Sequence, residues 1–217
     1  MQLKLFIGNK AYSSWSLRPW ILLTHFGIPF EEAVIPLYQP TTEIDIQRVS
    51  PNAKVPVLHA DGLAICESLA IIEFLAESVP DKPIWPKDRR ARALARSLSC
   101  EMHAGFSKLR QSCPTQFRRA PKPIAIDHDV RAEVDRIEAA WAGARHEFGA
   151  DGPFLFGAFS AADAMFAPVV NRFQVYAIEV RPETQAYMDA IAALPAWQAW
   201  IDGAKAEAWV VEHYDAM

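Results

Sequence analysis

The segment Tyr12-Ser13-Ser14-Trp15-Ser16-Leu17-Arg18-Pro19-Trp20 gathers hydroxyls where they can meet a negative charge. Proline has no N–H and is tolerated only in a helix's first turn, so Pro19 predicts a helix start close to Ser16. Ser13 and Ser14 then stand just ahead of it. The first N–H groups of a helix lack internal partners and carry the positive end of its dipole, which favours an anion there. A serine at that place is either an N-cap or a donor to a bound anion, and the loop leaves both open.

Two other features carry polar groups toward a ligand. Val55-Pro56 precedes the strand-like Val57–His59. Proline cannot donate to a sheet ladder and belongs at a strand start, and a cis bond there would turn the Val55 backbone groups outward. Glu67-Ser68 follows the next strand and opens a helix, where a hydroxyl and free N–H groups suit a carboxylate and the glutamate suits an ammonium group. Cys66, Cys100 and Cys113 form no Cys-x-x-Cys and no His/Cys pair at metal spacing, so neither a disulfide framework nor a zinc site is indicated.

The elements that must position these residues fall into two textures. Leu3–Ile7 reads as a buried strand, Leu17–Phe26 as a helix ended by Gly27 and Pro29, and Glu31–Leu37 as a second strand. Val57–His59 and Leu63–Ile65 flank Ala60-Asp61-Gly62 as a hairpin, and Glu67–Glu77 is a helix. The order is βαβ, a loose segment, then ββα, which suggests an α/β unit. After the proline-punctuated Asp81–Pro86 the pattern turns helical, over Asp88–Cys113, Asp127–Phe148, Ala161–Val180, Glu183–Ala193 and Pro195–Lys205. The expected domains are 1–82 and 83–217.

Composition sets the outer bounds. Of 217 residues, 51% are hydrophobic and 22% charged, enough apolar matter for a real core. A net charge of −4, with no basic run longer than Arg89-Arg90 or Arg118-Arg119, gives no footprint for nucleic acid or an anionic membrane. The start of the chain has no signal-peptide pattern and no apolar stretch reaches about 18 residues, so a cytoplasmic protein without a membrane anchor is expected.

The order of these features resembles the glutathione S-transferase N-terminal domain. The run from Asn52 to Glu77 is similar to that family over its whole length, and Ser160-Ala161-Ala162-Asp163 is similar to its helix-capping S-x-x-D. Ser13-Ser14-Trp15-Ser16-Leu17-Arg18 resembles the S-S-C-x-x-R signature of the zeta class, with Trp15 in place of the cysteine. The resemblance implies an α/β plus all-α fold: a thioredoxin-like N-terminal domain (βαβαββα) and an all-helical C-terminal domain. It implies that Ser13, or alternatively Ser14, donates to a glutathione thiolate. Lys54, Val55 and Pro56 would hold the peptide part, and Glu67 and Ser68 the γ-glutamyl end. Trp15, His103, Phe106 and Arg110 would border the second substrate, expected to be a small apolar electrophile. Thioredoxin-fold redox proteins carry Cys-x-x-Cys where this chain has Ser13–Ser16, so thiol–disulfide exchange through a protein cysteine is excluded there.

A free thiol has a pKa of about 8.5, and lowering it by about 2 units takes roughly 2.7 kcal/mol. One hydrogen bond to a charged group contributes about 1.5–3 kcal/mol and a helix N-terminus about 0.3–1 more, so a serine suffices without a metal or prosthetic group. Glutathione is expected as co-substrate of a transferase. The alternatives are a glutathione-dependent cis–trans isomerase of the maleylacetoacetate type and a non-catalytic binding protein of the same fold. The family resemblance also implies a homodimer.

Overall fold

Strand β1 (Leu3–Ile7) is the inner strand on which the first half is assembled. Leu3, Leu5 and Ile7 alternate onto one buried face, each contributing about 1.5–3 kcal/mol of apolar burial. β1 pairs in parallel with β2 (Glu31–Val34), with Lys4 opposite Glu31. It pairs antiparallel with β3 (Val57–Ala60), which turns into β4 (Leu63–Cys66), giving the order β2-β1-β3-β4. The turn uses Asp61 and Gly62 at φ +47° and +89°, the hairpin geometry that an Asp-Gly pair predicts. A parallel pair needs a crossover, and α1 (Ser14–His25) makes it. The computed structural model describes residues 1–215, apart from the side chains of residues 213 and 215.

Two boundaries in this half differ from expectation. α1 begins at Ser14, earlier than the proline suggests, because Ser13 supplies a working N-cap: its side chain accepts the Ser16 N–H. Pro19 is therefore inside the helix, and the Trp15 carbonyl loses its helical donor. β2 stops at Val34, short of Leu37, since Pro36 has no N–H for the ladder. Within the loose segment a short helix, α2 (Thr42–Gln47), buries Ile46, and α3 (Ser68–Ser78) then packs Ile71, Ile72 and Leu75 inward.

The second half is helical: α4 (Arg89–Ala104), α5 (Ser107–Ser112), α6 (His128–Phe148), α7 (Ala161–Val175), α8 (Pro182–Ala192), α9 (Pro195–Ala206) and α10 (Glu212–Asp215). The expected single helix Asp88–Cys113 is broken. Gly105 leaves helical geometry and Phe106 takes φ +61°, which swings its ring into the core. α7 ends at Val175, not Val180, with Ala177 at φ +46° turning the chain. α7 is buried along nearly its whole length and packs against α1 and α4, with Ala161, Ala162, Ala164 and Ala167 allowing close approach. Its start is fixed by a capping box in which Asp163 accepts from the Ser160 N–H (2.8 Å) and hydroxyl (2.9 Å).

Candidate active site

The loop from Gly8 to Ser13 delivers the serines to the first turn of α1. The Asn9 carbonyl accepts the Tyr12 and Ser13 N–H groups at 3.1 and 2.8 Å, and the Gly8 N–H reaches the Ser16 hydroxyl at 3.0 Å. Ser13 donates its own hydroxyl to Ser16 Oγ at 2.7 Å and accepts the Ser16 N–H at 3.4 Å. Ser14 is also buried, yet its hydroxyl has no hydrogen-bond partner among the described residues. Both serines line a chamber of about 310 Å³ together with Trp15, Val55, Arg110, Thr115, Arg172 and Tyr214.

A second chamber of about 520 Å³ adjoins it, lined by Trp15, Lys54, Val55, Pro56, Glu67 and His103 among others. Trp15, Leu37 and Val55 border both, so the two form one cleft within the size range of small-molecule sites. The Val55–Pro56 bond is cis. Ser50 anchors this loop by donating to the Lys54 carbonyl at 2.7 Å. Glu67 precedes α3 at φ +73°, and its carboxylate meets Asn52 Nδ2 at 3.5 Å and His103 Nε2 at 3.6 Å. Burial, then the Arg18 charge, holds the His103 ring below its ordinary pKa. Ser68 is fully buried and its hydroxyl has no partner among the described residues.

The cleft thus brings together Ser13, Ser14, Trp15, Lys54, Val55, Pro56, Glu67, His103 and Arg110. Phe106 does not belong with them. The break after α4 removes the helical stripe that would have aligned it with His103 and Arg110, and its ring is part of the core. Trp15 has two guanidiniums over its ring, Arg18 at 4.3 Å and Arg110 at 4.8 Å from the ring centre, and meets the His103 ring edge-on at 5.2 Å.

Sequence reasoning missed the charge of the serine chamber. Among the described residues, Arg18, Arg110 and Arg172 bond to backbone carbonyls: Arg18 Nε to Met165 (3.2 Å), Arg110 Nη2 to Met102 and His103, and Arg172 to Cys113 and Pro168. Arg18 Nη1, Arg110 Nε and the Thr115 hydroxyl are buried without a partner among the described residues. Burial first, then repulsion from Arg110, pulls Arg18 well below the ordinary guanidinium range and Arg172 to about 10. Beside Arg110, already expected at the second-substrate pocket, the chamber gains Arg172, and Arg18 lies close behind Trp15. The signal was Arg172 itself, a guanidinium in the middle of the apolar α7 sequence, where only a buried task justifies its desolvation.

Sheet order, capped α7 and a cleft at the start of α1 together define a thioredoxin-like domain joined to an all-helical one. Residues 12–78 match the family model described as "Glutathione S-transferase, N-terminal domain", and residues 125–203 match "Glutathione S-transferase, C-terminal domain". The chain belongs to the glutathione S-transferase family. It is 39% identical over 100 residues to a probable maleylacetoacetate isomerase of Caenorhabditis elegans, covering 46% of each chain. Glutathione S-transferase L1 of Arabidopsis thaliana is 26% identical over 204 residues, 91% of this chain and 78% of that one. The chain spans about half the length of the isomerase relatives it matches, 46% and 47% for those of C. elegans and mouse. A glutathione transferase homolog from Burkholderia, solved with bound glutathione, shares the fold at TM-score 0.71 and 23% identity, covering 95% of this chain and 100% of that one. No helix among the described residues is long and apolar enough to cross a membrane.

Proposed function

We propose that this protein is a glutathione transferase that holds glutathione as a thiolate at the start of α1 and delivers it to a small electrophile bearing a carboxylate. The observation that carries this is the shared chamber: Ser13 and Ser14 line the same space as Arg110, Arg172 and Thr115, whose hydroxyl has no partner among the described residues. In the neighbouring chamber the Val55 backbone, Lys54 and Pro56 border the peptide part. Glu67 receives the ammonium group of the γ-glutamyl end, and the unpartnered Ser68 hydroxyl donates to its carboxylate. The thiol gives its proton to solvent, the sulfur attacks the electrophilic carbon, and the leaving group departs with the bonding pair.

Ser13 is the preferred donor. Its hydroxyl donates to Ser16, a neutral contact worth about 0.5–1.5 kcal/mol, whereas a bond to a charged acceptor is worth about 1.5–3 kcal/mol. Swinging from Ser16 to a thiolate is therefore downhill, while Ser13 Oγ keeps the cap through the Ser16 N–H. Ser14, with its hydroxyl uncommitted, is the alternative donor. Neither route calls for a prosthetic group. The arginines add long-range attraction for the thiolate and direct partners for the electrophile's carboxylate.

A second reading is cis–trans isomerisation of an unsaturated acid. The same arginines favour it, and the isomerase relatives act, by their names, on maleylacetoacetate, a carboxylate-bearing compound. Matched electrophiles with and without a carboxylate test the main reading. Arg172→Met is expected to raise KM for the acid about tenfold, or roughly 1.4 kcal/mol, and to leave the neutral compound unchanged. Equal effects on both would remove the carboxylate from the proposal. We further propose two units meeting near residue 82, a homodimer of two-fold symmetry and, with Cys66, Cys100 and Cys113 all free thiols, a cytoplasmic location.

A further inference from the structure

We infer that Glu207, the residue just past α9, is a positioning residue for the hydroxyls at the start of α1; this rests on the serine loop being the thiolate site. A directed O–H···S bond requires Ser13 to be held to a fraction of an ångström, and its holder is the Gly8–Ser13 loop. Three of that loop's six N–H groups are satisfied locally: Gly8 by Ser16, Tyr12 and Ser13 by the Asn9 carbonyl. Lys10 and Ala11 are not. Their N–H groups go to Glu207, Oε1 accepting from Lys10 at 2.6 Å and Oε2 from Ala11 at 3.0 Å, across 197 and 196 residues of sequence.

One carboxylate taking two consecutive N–H groups is a bidentate, charge-assisted contact that fixes the orientation of the loop as well as its distance. The grip is reinforced on both sides. Arg118 donates to the Glu207 carbonyl (3.0 Å), the Trp209 carbonyl (2.7 Å) and the Tyr12 hydroxyl, which also accepts the Val211 N–H at 3.2 Å. The Ala11 carbonyl accepts the Phe117 N–H at 3.0 Å. Glu207, Arg118 and residues 8–11 lie outside the matched stretches 12–78 and 125–203, while Tyr12 is the first residue of the former.

Glu207→Gln keeps the shape but leaves a single acceptor for two N–H groups and turns an amide N–H₂ against one of them. In the full-length protein saturated with glutathione, the bound thiol's pKa is expected to rise by about one unit, a tenfold loss of thiolate near neutrality. Glutathione Kd should change less than about threefold, because the peptide anchors are in the other chamber. Exchange of the Lys10 and Ala11 amides should quicken at least about tenfold at unchanged global unfolding. Lys10→Met, which removes the side-chain charge and keeps the N–H, should leave the thiol titration in place. An unshifted thiol in Glu207→Gln while Ser13→Ala or Ser14→Ala shifts it overturns the positioning role and spares the serine site. A Glu207→Gln shift with neither serine variant moving it overturns the serine site and the positioning role with it. Should Glu207→Gln fail to fold, slow exchange at Lys10 and Ala11 in the wild type is still required, and fast exchange there overturns the inference.

Discussion

Replacing Ser13 by alanine removes a cap and, in the reading above, a thiolate donor, and the two losses are separable. The Ser13 oxygen accepts the Ser16 N–H and its proton rests on Ser16 Oγ. Losing an N-cap of this kind costs about 0.5–2 kcal/mol, which lowers Tm by about 1–8 °C for a chain of this size. Losing one donor to a charged sulfur removes about 1.5–3 kcal/mol of preference for the anion and raises the bound thiol's pKa by about one to two units. Ser14→Ala differs on the first count. Its hydroxyl has no partner among the described residues, so stability should stay within about 0.5 kcal/mol. Ultraviolet thiolate absorbance of saturated enzyme, titrated against pH beside a thermal melt, reads both quantities for both variants. A less stable Ser13→Ala with a wild-type thiol pKa means Ser13 is a cap alone, and the donor is then Ser14 if its variant shifts. If neither shifts the thiol, the assignment of this loop fails and Tyr12 or Ser16 is next.

Ser68→Ala should cost under about 0.5 kcal/mol of stability, since its hydroxyl has no partner among the described residues, yet weaken glutathione about five- to tenfold; calorimetry giving an unchanged Kd contradicts its role. Trp15→Leu removes a ring that two guanidiniums contact and should destabilise by about 1–4 kcal/mol in a urea melt. A loss below about 0.5 kcal/mol would show that Arg18 and Arg110 tolerate one another without the indole. Burial pushes the Asp163 carboxyl up to about 6 from 3.8, so between those values the folded state binds more protons than the unfolded chain. Acidification from pH 6 to about 4 should therefore widen the stability margin of wild type over Asp163→Asn, by up to about 1.4 kcal/mol per unit; a margin that narrows contradicts the shift.

What the sequence disclosed was local. The Asp61-Gly62 turn, the alternation of β1 and the Ser160–Asp163 box each act within a few residues, and each is found where its pattern placed it. Pro19 misled about the start of α1 because a serine cap one turn earlier outweighed it, and Gly105 was a break hidden in an otherwise continuous helical pattern. Within the cleft, Ser13, Ser14, Val55 and Glu67 were visible because each sits at the end of an element. Arg172 and Glu207 were not, since each acts on residues far along the chain, Arg172 on a carbonyl 59 positions away and Glu207 on the opposite end. No period or turn signal encodes such pairings.

The clamp on the serine loop also orders events in time. The loop is made well before Glu207, yet its Lys10 and Ala11 donors are answered by that residue, and Tyr214, later still, meets Tyr38 at 2.8 Å. Domains form from the N-terminus as synthesis proceeds, so the sheet and α1 can be complete while the cleft they serve is still unfinished. A chain interrupted after α9 would carry the sheet, the cis proline and both serines, and still lack the last hand that steadies them.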